Sequence, residues 1–369
     1  MSATAELKKT PLNAAHRGLN AKMVDFGGWD MPVQYPVGIL AEHEAVRTKA
    51  GLFDVSHMGE FRVKGPDTLR FLDWLTPNAV MSLVDGQIHY TGFLTEQGTF
   101  VDDLLIYRES DTECLLVVNA GNIDKDFAWV TSKAKGFNVT VTNESDATGQ
   151  IALQGPLAES ILQPLTSTNL AAIKYYYFTH GEVSGIKCLI SRTGYTGEDG
   201  FELYCAAGDT ERLWNLVLAA GQGKGLSPAG LGCRNTLRME CKMALYGHEI
   251  TDEIHALEAG LGWIVKLAKG DFLGKAALEA AKAAGLTRKL VGFKTFEKRD
   301  IARDGMKVLK DGAEIGFVTS AAPSPTVGAN IGLAYVPTAL SAVGNRIQID
   351  IRGRAAEAEI IPTPFYKRA

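Results

Sequence analysis

The feature that most constrains the fold of this chain is a change in hydrophobic pattern near Gly285. Before Gly285, apolar residues recur at helical spacing, as in residues 123–134, and such stretches alternate with strand-like runs. After Gly285, isoleucines alternate with polar residues over 347–351, and the Asp311-Gly312 pair predicts a hairpin turn. A chain of 369 residues also exceeds the size at which one hydrophobic core stops growing. We therefore predict an α+β protein of two or three domains that ends in a small all-β domain.

Three strand-like runs lie close together in the first part of the chain. They cover residues 87–95, 99–107 and 112–119, and short polar turns separate them. This arrangement predicts an antiparallel meander. An alanine-rich helix over residues 275–284 is expected to lead into the all-β part.

Composition excludes several classes of function. The 38 Lys and Arg residues nearly balance 42 Asp and Glu residues, and the net charge of −4 predicts no binding to nucleic acid or to an anionic membrane. No apolar run reaches the length of a membrane span, and the N-terminus has no apolar signal core. We therefore expect a soluble, cytoplasmic protein of bacterial type without a transit peptide.

The cysteines and histidines do not form a recognisable metal or disulfide pattern. The five cysteines are odd in number and include no C-x-x-C pair, so reduced thiols in the core are the better interpretation. The seven histidines form no H-E-x-x-H motif. No metal site is predicted.

A glycine-rich segment, residues 194–200, lies between two apolar strand-like runs. A dinucleotide-binding loop would need a helix after it, so we interpret the segment as a hairpin loop. In the strand that follows, Glu202 and Tyr204 share one face. The Glu202 carboxylate could accept hydrogen bonds from a planar N–H array such as the pyrimidine edge of a pterin, or it could lie on a solvated strand face.

Two adjacent aspartates, Asp102 and Asp103, stand within the predicted strand 99–107, although aspartate is depleted from strands. Their side chains point to opposite faces, so they cannot form a catalytic carboxylate pair. One of them could be functional, or both could be tolerated charges on an edge strand.

A predicted helix near residues 231–240 carries Arg234 and Arg238, four residues apart on one face. Near a helix N-terminus they could hold an anionic or carbonyl-bearing ligand. Alternatively, they could pair with Glu240 and other acids.

Six segments resemble, in the same order, the motifs of the T-protein (aminomethyltransferase) family of the glycine cleavage system, which are folate-dependent one-carbon transferases. The segments are 54–60 (DVSHMGE), 101–104 (VDDL), 118–120 (VNA), 194–202 (GYTGEDGFE), 231–240 (LGCRNTLRME) and 362–366 (PTPFY). The resemblance spans essentially the whole chain.

This resemblance implies a catalytic role for Asp103, which takes the position of the family's catalytic aspartate. The positions that surround folate in the family correspond to Met58, Tyr90, Asn119, Tyr195, Glu202, Arg234 and Tyr366. The implied fold is a multidomain cloverleaf of mixed α/β domains with a C-terminal antiparallel β-barrel, or jelly roll. A discontinuous first domain (1–54 and 147–270) would be interrupted by a second domain (55–146) that carries Asp103, and the all-β domain would cover 285–369.

The implied reaction starts from an aminomethyl group on the lipoyl arm of a partner, the H-protein. Its methylene carbon passes to tetrahydrofolate, a co-substrate, ammonia is released, and 5,10-methylenetetrahydrofolate forms; no metal is needed. Related folate-dependent demethylases and the folate-binding paralogues of iron–sulfur assembly are the alternatives. The K-G-C-Y-x-G-Q-E motif of those paralogues is absent from the sequence.

The partner interface is expected to be transient, and the sequence offers one candidate docking surface. Five basic residues cluster at the start of the all-β part, and an acidic carrier protein would be attracted to them. They are Lys289, Lys294, Lys298, Arg299 and Arg303. The alternative is that they only solvate the surface of the domain.

Overall fold

Eight α-helices and nineteen strands are the regular elements of residues 6–368, the part of the chain that the computed structural model describes. The helices are α1 (Asn13–Gly18), α2 (Ile39–Thr48), α3 (Thr68–Leu75), α4 (Ile123–Lys133), α5 (Ala158–Leu162), α6 (Thr210–Gly221), α7 (Leu231–Glu240) and α8 (Lys275–Ala284). The strands are β1 (Lys22–Phe26), β2 (Trp29–Gln34), β3 (Ala50–Asp54), β4 (Gly59–Lys64), β5 (Ile88–Leu94), β6 (Phe100–Ser110), β7 (Glu113–Val118), β8 (Thr140–Asn143), β9 (Thr148–Gln154), β10 (Phe178–Val183), β11 (Ile186–Ser191), β12 (Gly200–Ala206), β13 (Leu226–Pro228), β14 (Arg288–Thr295), β15 (Lys307–Lys310), β16 (Ala313–Ser324), β17 (Ala329–Pro337), β18 (Arg346–Ile351) and β19 (Arg354–Ile361).

The described residues divide into two units. Unit 1 consists of residues 6–71, 81–89 and 104–235, and unit 2 consists of residues 72–80, 90–103 and 236–368. The mixed α/β character and the terminal β-barrel confirm the predicted fold class. The three-domain division and its boundaries stay a prediction.

A six-stranded sheet forms the centre of unit 1, in the order β10-β11-β12-β9-β3-β13. All neighbours are antiparallel except β13, which is parallel to β3. On β12, Phe201 and Leu203 pack into a core with Leu213 and Trp214 of α6. Tyr204 belongs to a second apolar cluster on the other face of the strand. The alternation along β12 therefore follows the predicted pattern, and both of its faces are covered by protein.

The segment that joins β11 to β12 is a hairpin loop, as predicted. The two strands pair antiparallel, and no helix follows the glycines at 194–200. A pyrophosphate-binding βα turn is therefore excluded at this position.

The predicted meander is confirmed by a five-stranded sheet in the order β5-β6-β7-β4-β8. Strand β6 lies between β5 and β7, so the interpretation of Asp102 and Asp103 as charges on an edge strand is wrong. The Asp102 side chain is fully buried, and Asp103 is half-buried. Neither aspartate is needed to protect a sheet edge, because β6 has a hydrogen-bonded neighbour on each side.

A closed barrel in unit 2 follows the order β14-β17-β16-β15-β18-β19, and β19 pairs back onto β14. All of its pairings are antiparallel, and side chains such as Phe293 and Val318 fill its interior. At the β15–β16 hairpin, Asp311 and Gly312 have φ of 52° and 80°, which is the left-handed conformation that a two-residue turn requires. The predicted hairpin and barrel are confirmed.

Three smaller predictions can be compared with the structure. The alanine-rich helix is present as α8, and the helical spacing over 123–134 corresponds to α4. The five cysteines are all free thiols, and only Cys241 is not fully buried. No helix in residues 6–368 is long and apolar enough to cross a membrane.

Candidate functional site

Asp103 and Tyr90 form a polar pair in unit 2. Tyr90 lies on β5 and Asp103 on the neighbouring strand β6, and the Tyr90 hydroxyl donates a hydrogen bond of 2.8 Å to Asp103 Oδ2. The Tyr90 ring stacks on Trp263, with ring centroids 5.7 Å apart and planes 25° apart. Asp103 is half-buried, so its carboxylate is both oriented and reachable. Such a group can accept a proton or stabilise a developing positive charge.

Glu202 lies on β12 of unit 1, where two side chains hold its carboxylate. The Thr193 hydroxyl donates to Oε2, and the Gln150 amide donates to Oε1 at 3.3 Å. Burial raises the pKa of Glu202, while the Thr193 hydrogen bond and the positive charge of Arg234 act in the opposite direction. Glu202 is half-buried, so its carboxylate is an oriented acceptor that suits recognition of N–H donors.

Arg234 lies in the first turns of α7, with its guanidinium carbon 4.4 Å from the centre of the Tyr195 ring. Its charge opposes the rise that burial causes in the pKa of Glu202 and adds to the lowering that burial causes in the pKa of His57. The structure therefore brings Tyr195, Glu202 and Arg234 together in one electrostatic environment of unit 1. A planar guanidinium over an aromatic ring is a common way to fix a cation for ligand binding.

Arg238 has a different role from Arg234, although both are on α7. Its guanidinium forms a buried ion pair of 2.6 Å with Glu249 and donates to the Ser320 hydroxyl at 2.8 Å. The suggestion that the two arginines hold one ligand is therefore wrong, because Arg238 is committed to an acid within unit 2. The alternative, in which the arginines pair with acidic residues, is confirmed for Arg238, but its partner is Glu249 and not Glu240.

His57 is a buried residue of unit 1 that sequence reasoning missed, although it lies inside the 54–60 motif. Neither ring nitrogen has a hydrogen-bond partner among the described residues, and the ring lies edge-on to Phe26 at 5.6 Å. Burial and the charge of Arg234 lower the pKa of His57 to about 4. The imidazole is therefore neutral at physiological pH.

The remaining predicted residues, Met58, Asn119 and Tyr366, are half-buried. Met58 packs against the apolar cluster of unit 1 that contains Tyr204. Asn119 follows β7, and its carbonyl accepts the Asn122 N–H at 3.0 Å. In unit 2, the Tyr366 N–H donates to the carbonyl of Glu240 at 2.9 Å.

Thr193 and Gln150 are further residues that sequence reasoning missed. They lie nine and 52 positions from Glu202. Only Thr193 has a local indication, since it directly precedes the glycine loop. Within residues 6–368, no three His, Cys, Asp or Glu side chains are grouped so that they could hold a metal ion. The expectation that no metal is needed stays a prediction.

Comparisons with known proteins agree with this geometry. The family model described as "GCVT N-terminal domain" matches residues 12–269, and the model described as "Glycine cleavage T-protein C-terminal barrel domain" matches residues 288–367. The aminomethyltransferase of Desulfitobacterium hafniense is 54% identical, over 98% of this chain and 99% of the relative. That of Koribacter versatilis is 51% identical, over 99% of this chain and 97% of the relative.

A solved structure gives the same result. The glycine cleavage system aminomethyltransferase T from Bartonella henselae matches with a TM-score of 0.92 at 33% identity, over 98% of both chains. These matches confirm the resemblance seen in the six sequence motifs. The chain therefore belongs to the aminomethyltransferase (T-protein) family of the glycine cleavage system, whose members are folate-dependent transferases.

Proposed function

We propose that this chain transfers the methylene carbon of an aminomethyl group from the lipoyl arm of the H-protein to tetrahydrofolate. The transfer releases ammonia and forms 5,10-methylenetetrahydrofolate during the degradation of glycine. The observation that carries this proposal is the half-buried Asp103 carboxylate oriented by Tyr90, since a scaffold that only binds folate has no use for it. The demethylase and iron–sulfur-assembly alternatives are not favoured, because the relatives over the full length are aminomethyltransferases.

Recognition of folate is assigned mainly to unit 1. The Glu202 carboxylate would accept hydrogen bonds from the N–H groups of the pterin, with Thr193 and Gln150 keeping it in place. Arg234, fixed over the Tyr195 ring, would bind a carbonyl or anionic group of the same ligand. The other residues proposed to surround folate are Met58, Tyr90, Asn119 and Tyr366.

The chemistry is assigned to Asp103. In the transfer, the methylene carbon forms bonds to two folate nitrogens and loses its bonds to the amino nitrogen and to the lipoyl sulfur. The two protons that the folate nitrogens lose end on ammonia and on the lipoyl thiol. The Asp103 carboxylate would stabilise positive charge at that carbon or accept a proton that a folate nitrogen loses. Orientation of the two reactants could contribute up to about 7–11 kcal/mol in favourable cases. The Tyr90 hydrogen bond serves this purpose, because it restricts the direction of the carboxylate.

The partner in this proposal is the lipoylated H-protein, bound transiently. Lys289, Lys298, Arg299 and Arg303 are exposed in unit 2, whereas Lys294 lies 3.8 Å from Glu359. The four exposed cations are the proposed attraction for an acidic carrier. The cytoplasmic location inferred from the sequence stays a prediction.

A turnover assay tests the proposal directly. The H-protein loaded with an aminomethyl group on its lipoyl arm is mixed with the chain and tetrahydrofolate, and ammonia release and methylenetetrahydrofolate are measured. We expect both products in equal amounts, and neither product when tetrahydrofolate or the lipoyl group is omitted. Equal rates with and without the chain would contradict a catalytic function.

A further inference from the structure

A hydrogen-bonded turn at the end of helix α3 reaches the backbone of Tyr90 within unit 2. We define the Asn78 turn as residues 76–80. Asn78 is 8% exposed, and its side-chain amide donates to the carbonyl oxygen of Tyr90 at 2.9 Å. Its side-chain oxygen accepts the N–H of Ala79, also at 2.9 Å. Both ends of the Asn78 amide are therefore used, one for the turn itself and one for strand β5.

The Lys269 ammonium binds backbone carbonyl oxygens of the Asn78 turn. Its ammonium donates to the carbonyl oxygens of Thr76 at 2.7 Å and Asn78 at 2.9 Å, and also to that of Asp73. The Lys269 side chain is only 6% exposed, and burial lowers its pKa to about 8. Burial of an ammonium is costly unless its donors are satisfied. Here three backbone carbonyls accept its hydrogen bonds, and the Asp73 carboxylate lies 3.4 Å away.

These contacts form a continuous path to the carboxylate assigned to chemistry. The path runs from the Lys269 ammonium to the Asn78 carbonyl, from the Asn78 amide to the Tyr90 carbonyl, and from the Tyr90 hydroxyl to Asp103. Strand β5 is at the edge of its sheet, where β6 is its neighbour on one side, and the Tyr90 carbonyl accepts its hydrogen bond from Asn78 instead of from a further strand. The Asn78 amide adds a contact from outside the sheet at that residue.

We propose that Asn78 is a positioning residue for the transfer reaction, which it serves by holding Tyr90 where its hydroxyl meets Asp103, with Lys269 holding Asn78. This inference rests on the proposed function, since it presumes that Asp103 carries the chemistry. Loss of the Asn78 contact would let the backbone at Tyr90 shift. A displacement of about 1 Å of a group that orients a reacting centre can cost about a hundredfold in rate.

The test is a double-mutant cycle on kcat. Asn78→Ala, Tyr90→Phe and the double variant are compared with the natural chain at saturating loaded H-protein and tetrahydrofolate. We expect Asn78→Ala to lower kcat by roughly ten- to a hundredfold, with the KM for tetrahydrofolate changed by about twofold or less. The double variant should be no slower than Tyr90→Phe, because both substitutions then remove the same hydrogen bond to Asp103.

A second variant covers the case in which Asn78→Ala does not fold. Asn78→Asp has the same shape and still accepts the Ala79 N–H, but it cannot donate to the Tyr90 carbonyl, so the same loss of kcat is expected. Lys269→Met should resemble Asn78→Ala. Lys275→Met is the matched control, because its ammonium also binds a backbone carbonyl of unit 2, that of Gly270 at 2.7 Å, without contact to the Asn78 turn.

The outcomes separate this inference from the proposed function. If Asp103→Asn turns over normally, the proposed role of Asp103 and the inference both fail. If Asp103→Asn and Tyr90→Phe are slow, but Asn78→Ala and Asn78→Asp leave kcat unchanged, only the inference is overturned. The inference is also overturned if the fall in kcat of the double variant equals the product of the two single falls, since Asn78 would then act independently of Tyr90.

Discussion

The carboxylates of Asp103 in unit 2 and Glu202 in unit 1 are held by different sets of side chains. In unit 2, Asp103 is half-buried beside a phenol donor and an exposed tryptophan. In unit 1, Glu202 is held by a hydroxyl, an amide and a nearby guanidinium charge, and burial raises its pKa. Both side chains are half-buried, but Asp103 accepts from one phenol, whereas Glu202 accepts from two donors and lies in the field of a guanidinium. We propose that the same functional group serves chemistry at Asp103 and recognition at Glu202.

The largest expected effect is the loss of turnover when Asp103 is replaced. Asp103→Asn removes the negative charge and the proton acceptor while keeping the size of the side chain. Turnover should fall by about 10²–10⁴, the range for a positioned acid or base, whereas tetrahydrofolate affinity should change little. Steady-state kinetics and calorimetry of tetrahydrofolate binding measure the two quantities.

Asp102→Asn is the matched control, because Asp102 is the adjacent carboxylate on the opposite face of β6. The Asp102 side chain is fully buried, so we expect a loss of stability without a comparable loss of turnover in the folded protein. A larger loss of turnover for Asp102→Asn than for Asp103→Asn would reverse the assignment of the two aspartates.

The second expected effect is on the stability of the folded protein at acidic pH, and it comes from His57. The pKa of His57 is lowered to about 4, so the folded state keeps the imidazole neutral while the unfolded chain protonates it near pH 6.5. The unfolded state therefore binds more protons, and stability is lost as the pH falls from about 6.5 towards 4, by an amount on the order of 3 kcal/mol. In His57→Gln, urea unfolding should lose this part of the pH dependence.

His180 provides a control of opposite sign in the same unit. Its hydrogen bond to Glu109 raises its pKa, so its contribution to stability is present below about pH 6.5 and is lost as the pH rises through its folded-state value. His180→Gln should therefore lower stability at acidic pH more than at basic pH. If both histidine variants changed the pH dependence in the same direction, the burial argument for His57 would be untenable.

The third effect is on folate affinity. Glu202→Gln replaces a charged acceptor by a neutral amide, and loss of a buried charged hydrogen bond costs about 1–3 kcal/mol. Tetrahydrofolate should bind roughly ten- to a hundredfold more weakly, and Arg234→Ala should act in the same direction. Glu182→Gln, at an exposed position on β10 of the same sheet, should leave affinity unchanged. Unaltered calorimetric affinity in both Glu202→Gln and Arg234→Ala would remove these residues from the folate site.

The smallest effect is expected at the proposed docking surface, which includes neither of the two carboxylates. Lys289, Lys298 and Arg303 are exposed, and reversal of all three charges to glutamate should slow association with the H-protein by several-fold, since rim charges act mainly on the association rate. The salt dependence of that rate should flatten, while tetrahydrofolate affinity stays the same. Stopped-flow measurements at limiting H-protein follow the rate.

A triple reversal elsewhere separates local attraction from a change in net charge. Lys135, Lys174 and Lys224 are exposed lysines of unit 1, and reversing them changes the net charge by the same amount. We expect a much smaller effect on association. Equal slowing by the two triple variants would show that total charge, and not this surface, attracts the carrier.

Local structure was predictable wherever neighbouring residues decide it. The Asp311-Gly312 turn follows from the two residues that tolerate left-handed backbone, and helix α8 follows from a run of alanines. The opposite facing of Asp102 and Asp103 follows from the period of a strand. The central place of β6 in its sheet did not follow, because the order of strands depends on distant segments.

The residues proposed for the site follow from the family motifs and stay a prediction, whereas the contacts that support them could not be predicted from the sequence. Nothing near Glu202 in the sequence indicates Gln150, which comes from strand β9. Arg234 and Arg238 have the same local pattern, and only the buried Glu249 distinguishes their roles. Side chains that orient a functional group are often far from it in sequence, so period and motif cannot identify them.

The way the barrel closes has a consequence for biosynthesis. Strand β19 pairs with both β14 and β18, and beyond it the Tyr366 backbone is bound to the Glu240 carbonyl. A nascent chain in which β19 is still inside the ribosome cannot pair that strand, so the edges of β14 and β18 remain open until its residues emerge. The emergence of β19 is therefore the event that closes the barrel of unit 2. A prematurely terminated product would keep two unpaired strand edges, which chaperones and proteases can recognise.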